Sequence, residues 1–444
     1  MSVIPLSDAH RRDLSKKIFR RLVPLLCLVY VISFLDRTNI GFAKDRLEVD
    51  LGISAAAYGL GAGLFFLTYA ACEVPSNLLM RKVGARWWIA RIMITWGLLS
   101  MAMALVQGEM SFYVLRMLLG AAEAGLFPGV ILYFTYWFTR EERAKANGFF
   151  LLGASIANIV GAPLAGVLLT MDGIGGLFGW QWLFIIEGLP AVVLAFVVLR
   201  FLPDSPEKAH WVSNEEAADL RARLDAEEAE SVDKDGRHAV AQVLRDVHII
   251  MAIVVYFCHQ VAIYAVAYFL PSIIGKDASL SSVQIGLLVM LPWLASGIGA
   301  LLLPRLATTA SRARGLICVA LLVMAAGFTV GLLTGPVLGL IGMCFSGFVF
   351  WCVNSTIFTF PASRLSGAAL AGGIAFVNSC GILGGFVGPY LMGLVESATG
   401  NPSSGLWVVV VLLCLGAVLT LFLRQGHESP KRAAPPQTSA AVRG

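Results

Sequence analysis

Apolar residues fall in long unbroken runs rather than in the alternating or 3.6-residue patterns of water-soluble folds. The runs occupy roughly 22–41, 57–80, 87–106, 111–137, 146–170, 180–202, 248–274, 283–304, 314–334, 336–360, 366–396 and 404–423. Each approaches or exceeds the ~20 residues that a helix needs to cross the hydrocarbon of a bilayer. Twelve membrane-spanning helices are therefore predicted. The first run also carries charge, which a cleaved signal peptide would not.

Basic residues orient the spans. Arg11, Arg12, Lys16, Lys17, Arg20 and Arg21 precede span one; Arg81, Lys82, Arg86 and Arg91 follow span two; Arg140, Arg143 and Lys145 follow span four; Arg305, Arg312 and Arg314 follow span eight. The alternate connections carry only Lys44, Arg46 and Lys276. Lysine and arginine concentrate in cytoplasmic loops, so both termini are expected in the cytoplasm. The expected organisation is a cytoplasmic N-terminal segment (1–21), a six-helix half (22–202), a cytoplasmic linker (203–246), a second six-helix half (247–424) and a disordered cytoplasmic tail (425–444). In the linker, Ser213-Asn-Glu-Glu216 reads as a capping box opening an amphipathic helix to about Glu230. Gly161-Ala-Pro-Leu-Ala-Gly166 and Gly388-Pro-Tyr-Leu-Met-Gly393 lie about half a chain apart, as a parallel duplication would leave them. The fold class is an all-α membrane protein of two six-helix halves.

Composition agrees with this. Of 444 residues 58% are hydrophobic and 14% charged, and 45 glycines suit close helix packing in lipid. A net charge of +5 needs no nucleic-acid partner, because the cytoplasmic loops account for it. The eight cysteines all fall in predicted spans without metal or redox spacing. No phosphate-binding loop, metal-ligand cluster or nucleophile motif occurs, so an enzyme is not expected, nor a metal or cofactor. The partners expected are the bilayer, protons and a small carboxylate, with the chain a monomer.

The charges inside the spans are the informative residues: Asp36, Arg37, Glu73, Arg116, Glu123, Glu187 and His259. An ionised group at mid-membrane costs about 2.5–3.5 kcal/mol on insertion scales, so each needs a partner and points to function. Helical neighbours project about 100° apart, so Asp36 and Arg37 must each look elsewhere. Arg116 and Glu123 stand two turns apart on one face, ~10 Å along the axis. Pairings across helices are expected, Asp36 with Arg116 and Arg37 with Glu123. An arginine beside an acid that takes up protons is what proton-coupled anion transport requires: a substrate carboxylate competes with Glu123 for Arg37, and protonating Glu123 releases the arginine. Glu73 and Glu187 are assigned to gating or packing, and His259 to a hydrogen bond with a neighbouring helix. Tyr69, Tyr264, Tyr268, Asn354 and Asn378 are the polar groups available to line a cavity.

Phe34-Leu-Asp-Arg-Thr-Asn-Ile-Gly-Phe-Ala43, Glu73-Val-Pro-Ser-Asn77, Val83-Gly-Ala-Arg86, the Arg116/Glu123 stretch, Gly179-Trp-Gln-Trp-Leu-Phe-Ile-Ile-Glu-Gly188 and Gly388-Pro-Tyr390 together resemble the anion:cation symporter group of the major facilitator superfamily. The resemblance covers nearly the whole chain and is nearest to tartrate transporter-like and 4-hydroxyphenylacetate permease-like bacterial proteins. It implies proton-driven uptake of an organic carboxylate, tartrate-like or a related hydroxy acid, by alternating access in the bacterial inner membrane. It further implies that Arg37 binds substrate, with Tyr69 and Asn378 at matching substrate-binding positions, that Asp36 and Glu123 carry protons, and that Arg116 partners Asp36; Tyr264 and Asn354, from the polar groups above, are added to the candidate substrate site. Arg86 falls with Glu73 and Glu187 in the gate. Sugar-acid members carry tyrosine where this chain has Phe34. Aromatic-acid or sugar-acid symport and organic-anion exchange are the alternatives among transporters. A non-transporting carboxylate sensor is the alternative outside them, but it would need an output domain larger than the linker.

Overall fold

The computed structural model describes residues 6–231, 243–276, 279–365 and 367–426, and among these all regular structure is helical. Among the described residues eleven helices are long and apolar enough to cross a membrane: span one Asp8–Leu51, two Ala55–Val83, three Ala85–Leu105, four Glu109–Thr135, five Arg140–Met171, six Gly179–Phe201, seven Val247–Gly275, eight Ser282–Leu306, nine Ala310–Leu333, ten Pro336–Ala362 and eleven Gly372–Thr399. The shorter apolar helix Leu406–Leu421 completes twelve.

Packing partners repeat across the chain. Spans one and five, one and six, two and four, and three and six pack together in the first half; spans seven and eleven, seven and twelve, eight and ten, and nine and twelve do so in the second. Each pair recurs six spans on, the geometry of a parallel duplication. The halves meet through spans one with seven, two with eleven and five with eight. The approach is close enough to require small residues: a Cβ on Gly59 would lie 2.3 Å from the Pro389 carbonyl oxygen.

Three helices depart from their hydropathy boundaries. Span one begins at Asp8, with Ser7 accepting from the His10 N–H as N-cap, and runs to a left-handed Gly52. Hydropathy starts it only at residue 22 because the preceding turns are amphipathic: Leu14 and Ile18 are buried, while Arg11 bonds Asp219 of the linker helix at 2.6 Å. Span four is broken: one helix ends at Glu123 and another begins at Leu126. Pro128 has no N–H to give the Ala124 carbonyl four residues back, and Gly125 takes φ +91°, where a Cβ would lie 2.3 Å from Ser76 Oγ. Span eleven is similarly interrupted, between Ile382 and Gly384.

The linker helix is Asn214–Ser231, and its capping box forms, with Ser213 N donating to Glu216 Oε2 at 2.8 Å and Glu216 N to Ser213 Oγ at 3.1 Å. The rest of the linker, 232–242, and the tail from 427 lie outside the described residues.

The bonds that cross between halves concentrate at the face opposite the N-terminus. There Lys44 Nζ donates to Glu396 at 2.8 Å, Ala56 N to Ser397 Oγ at 2.9 Å, Ser272 Oγ to Asp45 at 2.7 Å, and Tyr58 Oη to the Tyr268 carbonyl at 3.3 Å. The molecule is tied shut on that side.

Candidate functional site

Span one presents two polar faces near its middle. Ser33 and Arg37, one turn apart, point to span four; Asp36 and Asn39, likewise one turn apart, point to spans three and six. Residues three or four apart share a helical face, so adjacent Asp36 and Arg37 serve different compartments.

In the first compartment Arg37 Nη2 donates to Glu123 Oε1 at 2.5 Å, and Ser33 Oγ donates to the same oxygen at 2.6 Å. Arg37 is 6% exposed and Glu123 1%, so the pair is almost dry. This is the pairing expected from the sequence. Glu123 is the last residue before the break in span four, where helix carbonyls lose their partners and favour a nearby cation such as Arg37. The guanidinium carbon lies 4.9 Å from the Phe34 ring, 5.3 Å from Phe65 and 5.2 Å from Tyr69, a geometry in which ring faces attract a cation. Tyr264 of the second half also reaches Arg37 and packs on Phe66 at 4.3 Å between centroids. Arg37 Nε and Glu123 Oε2 have no hydrogen-bond partner.

The second expected pairing does not form. Asp36 Oδ1 accepts from Ser100 of span three, while Arg116 donates to the carbonyls of Ala62 at 3.2 Å and Gly61 at 3.4 Å on span two and lies 4.8 Å from the Phe65 ring. Two carbonyls and a ring satisfy Arg116 without an ion pair, which leaves Asp36 to a hydroxyl. Tyr268 also faces Arg116. Glu187 comes down from span six to face Asp36 and Asn39.

The remaining predicted residues scatter around these two groups. Glu73 is buried within electrostatic reach of Arg37, with one carboxyl oxygen unpartnered. Asn378 accepts from Tyr256 Oη at 3.4 Å, and Asn354 Oδ1 is buried without a partner. His259 bonds the Phe350 carbonyl at 3.1 Å, a helix-to-helix bond of the expected kind. Arg86 works through its backbone, donating N–H to Asp204 Oδ1 at 3.0 Å beside the turn at Gly84. Among the described residues no group of three His, Cys, Asp or Glu is placed to hold a metal.

Sequence reasoning missed Ser33, Asn39, Ser100 and the pairing of Lys44 with Glu396. Ser33 stands one turn before Arg37 and Asn39 one turn after Asp36, so helical spacing could have nominated both. Ser100 and the Lys44–Glu396 bridge carry no local signal, since their partners lie 64 and 352 residues away.

A family profile described as Major Facilitator Superfamily matches residues 26–373 and 254–443. Over 431 residues the chain is 43% identical to an Agrobacterium vitis protein named "Putative tartrate transporter", covering 96% of this chain and 94% of the relative. It is 42% identical over 422 residues to the "Quinolone resistance transporter" of Acinetobacter baumannii, covering 95% and 97%. The xylose transporter XylE from E. coli, solved in a partially occluded inward-open conformation, superposes with a TM-score of 0.73 at 14% identity, over 92% of this chain and 98% of that one.

Proposed function

The chain belongs to the major facilitator superfamily, and from that premise we propose that it is a proton-coupled symporter that takes up a small organic carboxylate across the bacterial inner membrane. The observation that carries the reading is the Arg37–Glu123 pair, 2.5 Å long and nearly dry. Arg37 holds a carboxylate by parallel N–H bonds, as guanidinium groups do, and Glu123 occupies that edge when no substrate is present. A proton on Glu123 removes its charge and releases the arginine to the incoming anion. After the substrate leaves, Glu123 gives up its proton and neutralises Arg37 again, so the empty carrier recloses without an unpaired charge. Leaving that charge unpaired would cost several kcal/mol. Proton and substrate are thereby bound to travel together.

A tartrate-like hydroxy acid is the substrate favoured by the relative named for tartrate. A second reading rests on the rings of Phe34, Phe65 and Tyr69 around Arg37. They suit an aromatic monocarboxylate that stacks on them while Arg37 holds its acid group.

Glu123→Gln separates the steps. Glutamine mimics the protonated acid, so binding of labelled substrate and counterflow should survive, with the pH dependence of binding flattened. Uptake driven by a pH gradient should fail because the empty carrier cannot reclose. Proteoliposomes offered tartrate and 4-hydroxyphenylacetate in parallel arms also discriminate the two substrates. Gradient-driven uptake intact in Glu123→Gln would remove this residue from coupling.

A further inference from the structure

The basic residues ahead of the first apolar run divide into two sets once the helix forms. Arg11, Lys17 and Arg21 are taken by the linker. Arg11 bonds Asp219 at 2.6 Å, Lys17 lies 3.8 Å from Glu216, and the Arg21 guanidinium sits 4.9 Å from the Trp211 ring. Arg12, Lys16 and Arg20 are exposed, and their four-residue spacing lines them along one face of the helix. Among the described residues none of these three reaches another helix. Arg12 Nε donates to the Asp8 carbonyl of its own helix at 3.2 Å. Lys16 pairs at 3.3 Å with Asp13, itself 77% exposed, a contact of little worth.

Span five extends this face. Lys145, also exposed, holds its ammonium 5.5 Å from the Phe19 ring, and Phe19 meets Phe149 edge-on at 5.8 Å between centroids. Phe19 follows Lys16 by three residues and Arg12 by seven, so the ring and these cations share a side of the helix. Phe149 is 43% exposed. The acids on the same stretches are Asp13 and Glu141, with Asp8 turned to Arg11 at 3.8 Å, so the cations outnumber them.

Depth decides what such a face meets. At 1.5 Å per residue Arg20 and Lys16 stand about 3 and 9 Å ahead of Leu22, where the apolar run begins. The polar layer on each side of the hydrocarbon is about 5–8 Å thick, so both stand in it or at its edge. Lys145 immediately precedes the apolar run of span five, and Phe149 lies just inside it. Cations in the headgroup layer with an exposed ring beneath them match a lipid whose headgroup is negative. Its phosphate meets the ammonium and guanidinium groups, and its first acyl carbons meet Phe149. A dissolved anion would gain nothing from the ring. We propose that Arg12, Lys16, Arg20 and Lys145, with Phe19 and Phe149, form a docking site for an anionic phospholipid at the seam of spans one and five. The lipid fastens the side of span one that the linker leaves free. Its binding is independent of the substrate and the coupling ion proposed above.

The test uses the full chain purified in a neutral detergent, with bound lipid measured by native mass spectrometry. Dioleoyl-phosphatidylglycerol is the probe, and dioleoyl-phosphatidylcholine, with the same acyl chains, is the comparison without net charge. Wild type should bind the first roughly tenfold more tightly. Lys16→Gln/Arg20→Gln should weaken that binding about thirtyfold, the effect of two cations at a membrane surface. Arg305→Gln/Arg312→Gln removes the same charge from exposed arginines of the second half and should change it less than about twofold. Phe149→Ala should weaken binding roughly fivefold through lost apolar contact, with the salt dependence of the wild type retained. Lys16→Arg/Arg20→Lys keeps both charges and should bind within about threefold of wild type. Equal weakening in the two charge-removing pairs overturns a local site, because overall charge would then suffice. Wild-type affinity in Lys16→Gln/Arg20→Gln overturns it as well, as does loss of binding in the charge-keeping pair or equal affinity of the wild type for the two lipids. Displacement of the lipid by millimolar inorganic phosphate, with Phe149→Ala indistinguishable from wild type, would reveal a free-anion site and also overturn the assignment to lipid.

Discussion

The two six-helix halves pack by the same plan, pair for pair, yet they bury different chemistry. The first encloses Asp36, Arg37, Lys44, Glu73, Arg116, Glu123 and Glu187. Among the described residues, the polar side chains buried in the second are His259, Gln260 and the hydroxyls of Ser272, Ser296, Ser346, Thr356 and Thr420. What the second half offers to the centre is tyrosines and amides: Tyr264 beside Arg37, Tyr268 beside Arg116, and Asn378 bonded to Tyr256. The frame has matched interfaces, and the buried charge lies mostly on one side of it. The advantage is physical. A pair such as Arg37–Glu123, neutralised inside one rigid half, need not find a new partner each time the halves rock. Over that pair the other half presents neutral groups, Tyr264 among them, which desolvate at much lower cost.

The division of labour breaks most visibly at Arg37. Arg37→Lys keeps the charge in the first half but loses the planar fork that grips a carboxylate. A charge-assisted hydrogen bond is worth about 1.5–3 kcal/mol, so affinity should fall roughly ten- to hundredfold, with uptake crippled. Substrate binding by calorimetry reads this directly. Unchanged affinity would show that the anion is held elsewhere, and the second half would become the place to look.

A smaller effect is expected where the halves are tied. Lys44 is 1% exposed and reaches across to Glu396 of the second half, besides Asp45 and Glu48 of its own helix. Glu396→Gln removes the crossing charge and leaves the local acids, so the loss is about 1 kcal/mol, as for a partly exposed pair. The closed face should then open roughly fivefold more often. Labelling of a cysteine placed at Ala56, which donates its N–H to Ser397 across the same seam, measures the opening. Equal labelling in both backgrounds would mean that the helix contacts at Gly59 and Pro389 suffice to hold the face shut.

The smallest change lies outside the membrane, where the linker helix docks on the first half. Arg11 bonds Asp219 at 2.6 Å and 3.0 Å, and this bond, more than any other influence, holds the Asp219 carboxyl below its usual range. A carboxyl with a depressed folded value stabilises docking above its unfolded value, about 3.9, and loses that contribution as pH falls through the folded one. Docking is thus complete at neutral pH and loosens only in acid. Asp219→Asn should raise amide exchange in 214–227 at neutral pH, remove its acid dependence and leave uptake within about twofold, a surface-pair effect. A large loss of uptake would give the linker helix a share in the transport cycle.

Local chemistry explains how much of this was written in the chain. Hydropathy located the spans because insertion of a helix into lipid depends on its own residues. Helical periodicity put Arg116 and Glu123 on one face, and the need to neutralise a buried arginine linked Arg37 to Glu123. Even the break in span four was present, in Gly125 and Pro128, though a continuous apolar run concealed it. The partner of Asp36 was not legible. Counting charges favours Arg116, but two carbonyls of span two and the Phe65 ring claim that guanidinium, and a serine from span three takes the acid. Nor could the sequence bring Glu187 to Asp36, or Lys44 to Glu396 across 352 residues. A side chain's need for a partner is a property of that side chain in its own span. Which of several adequate partners it receives depends on how helices distant in sequence cross, and only the packed bundle fixes that.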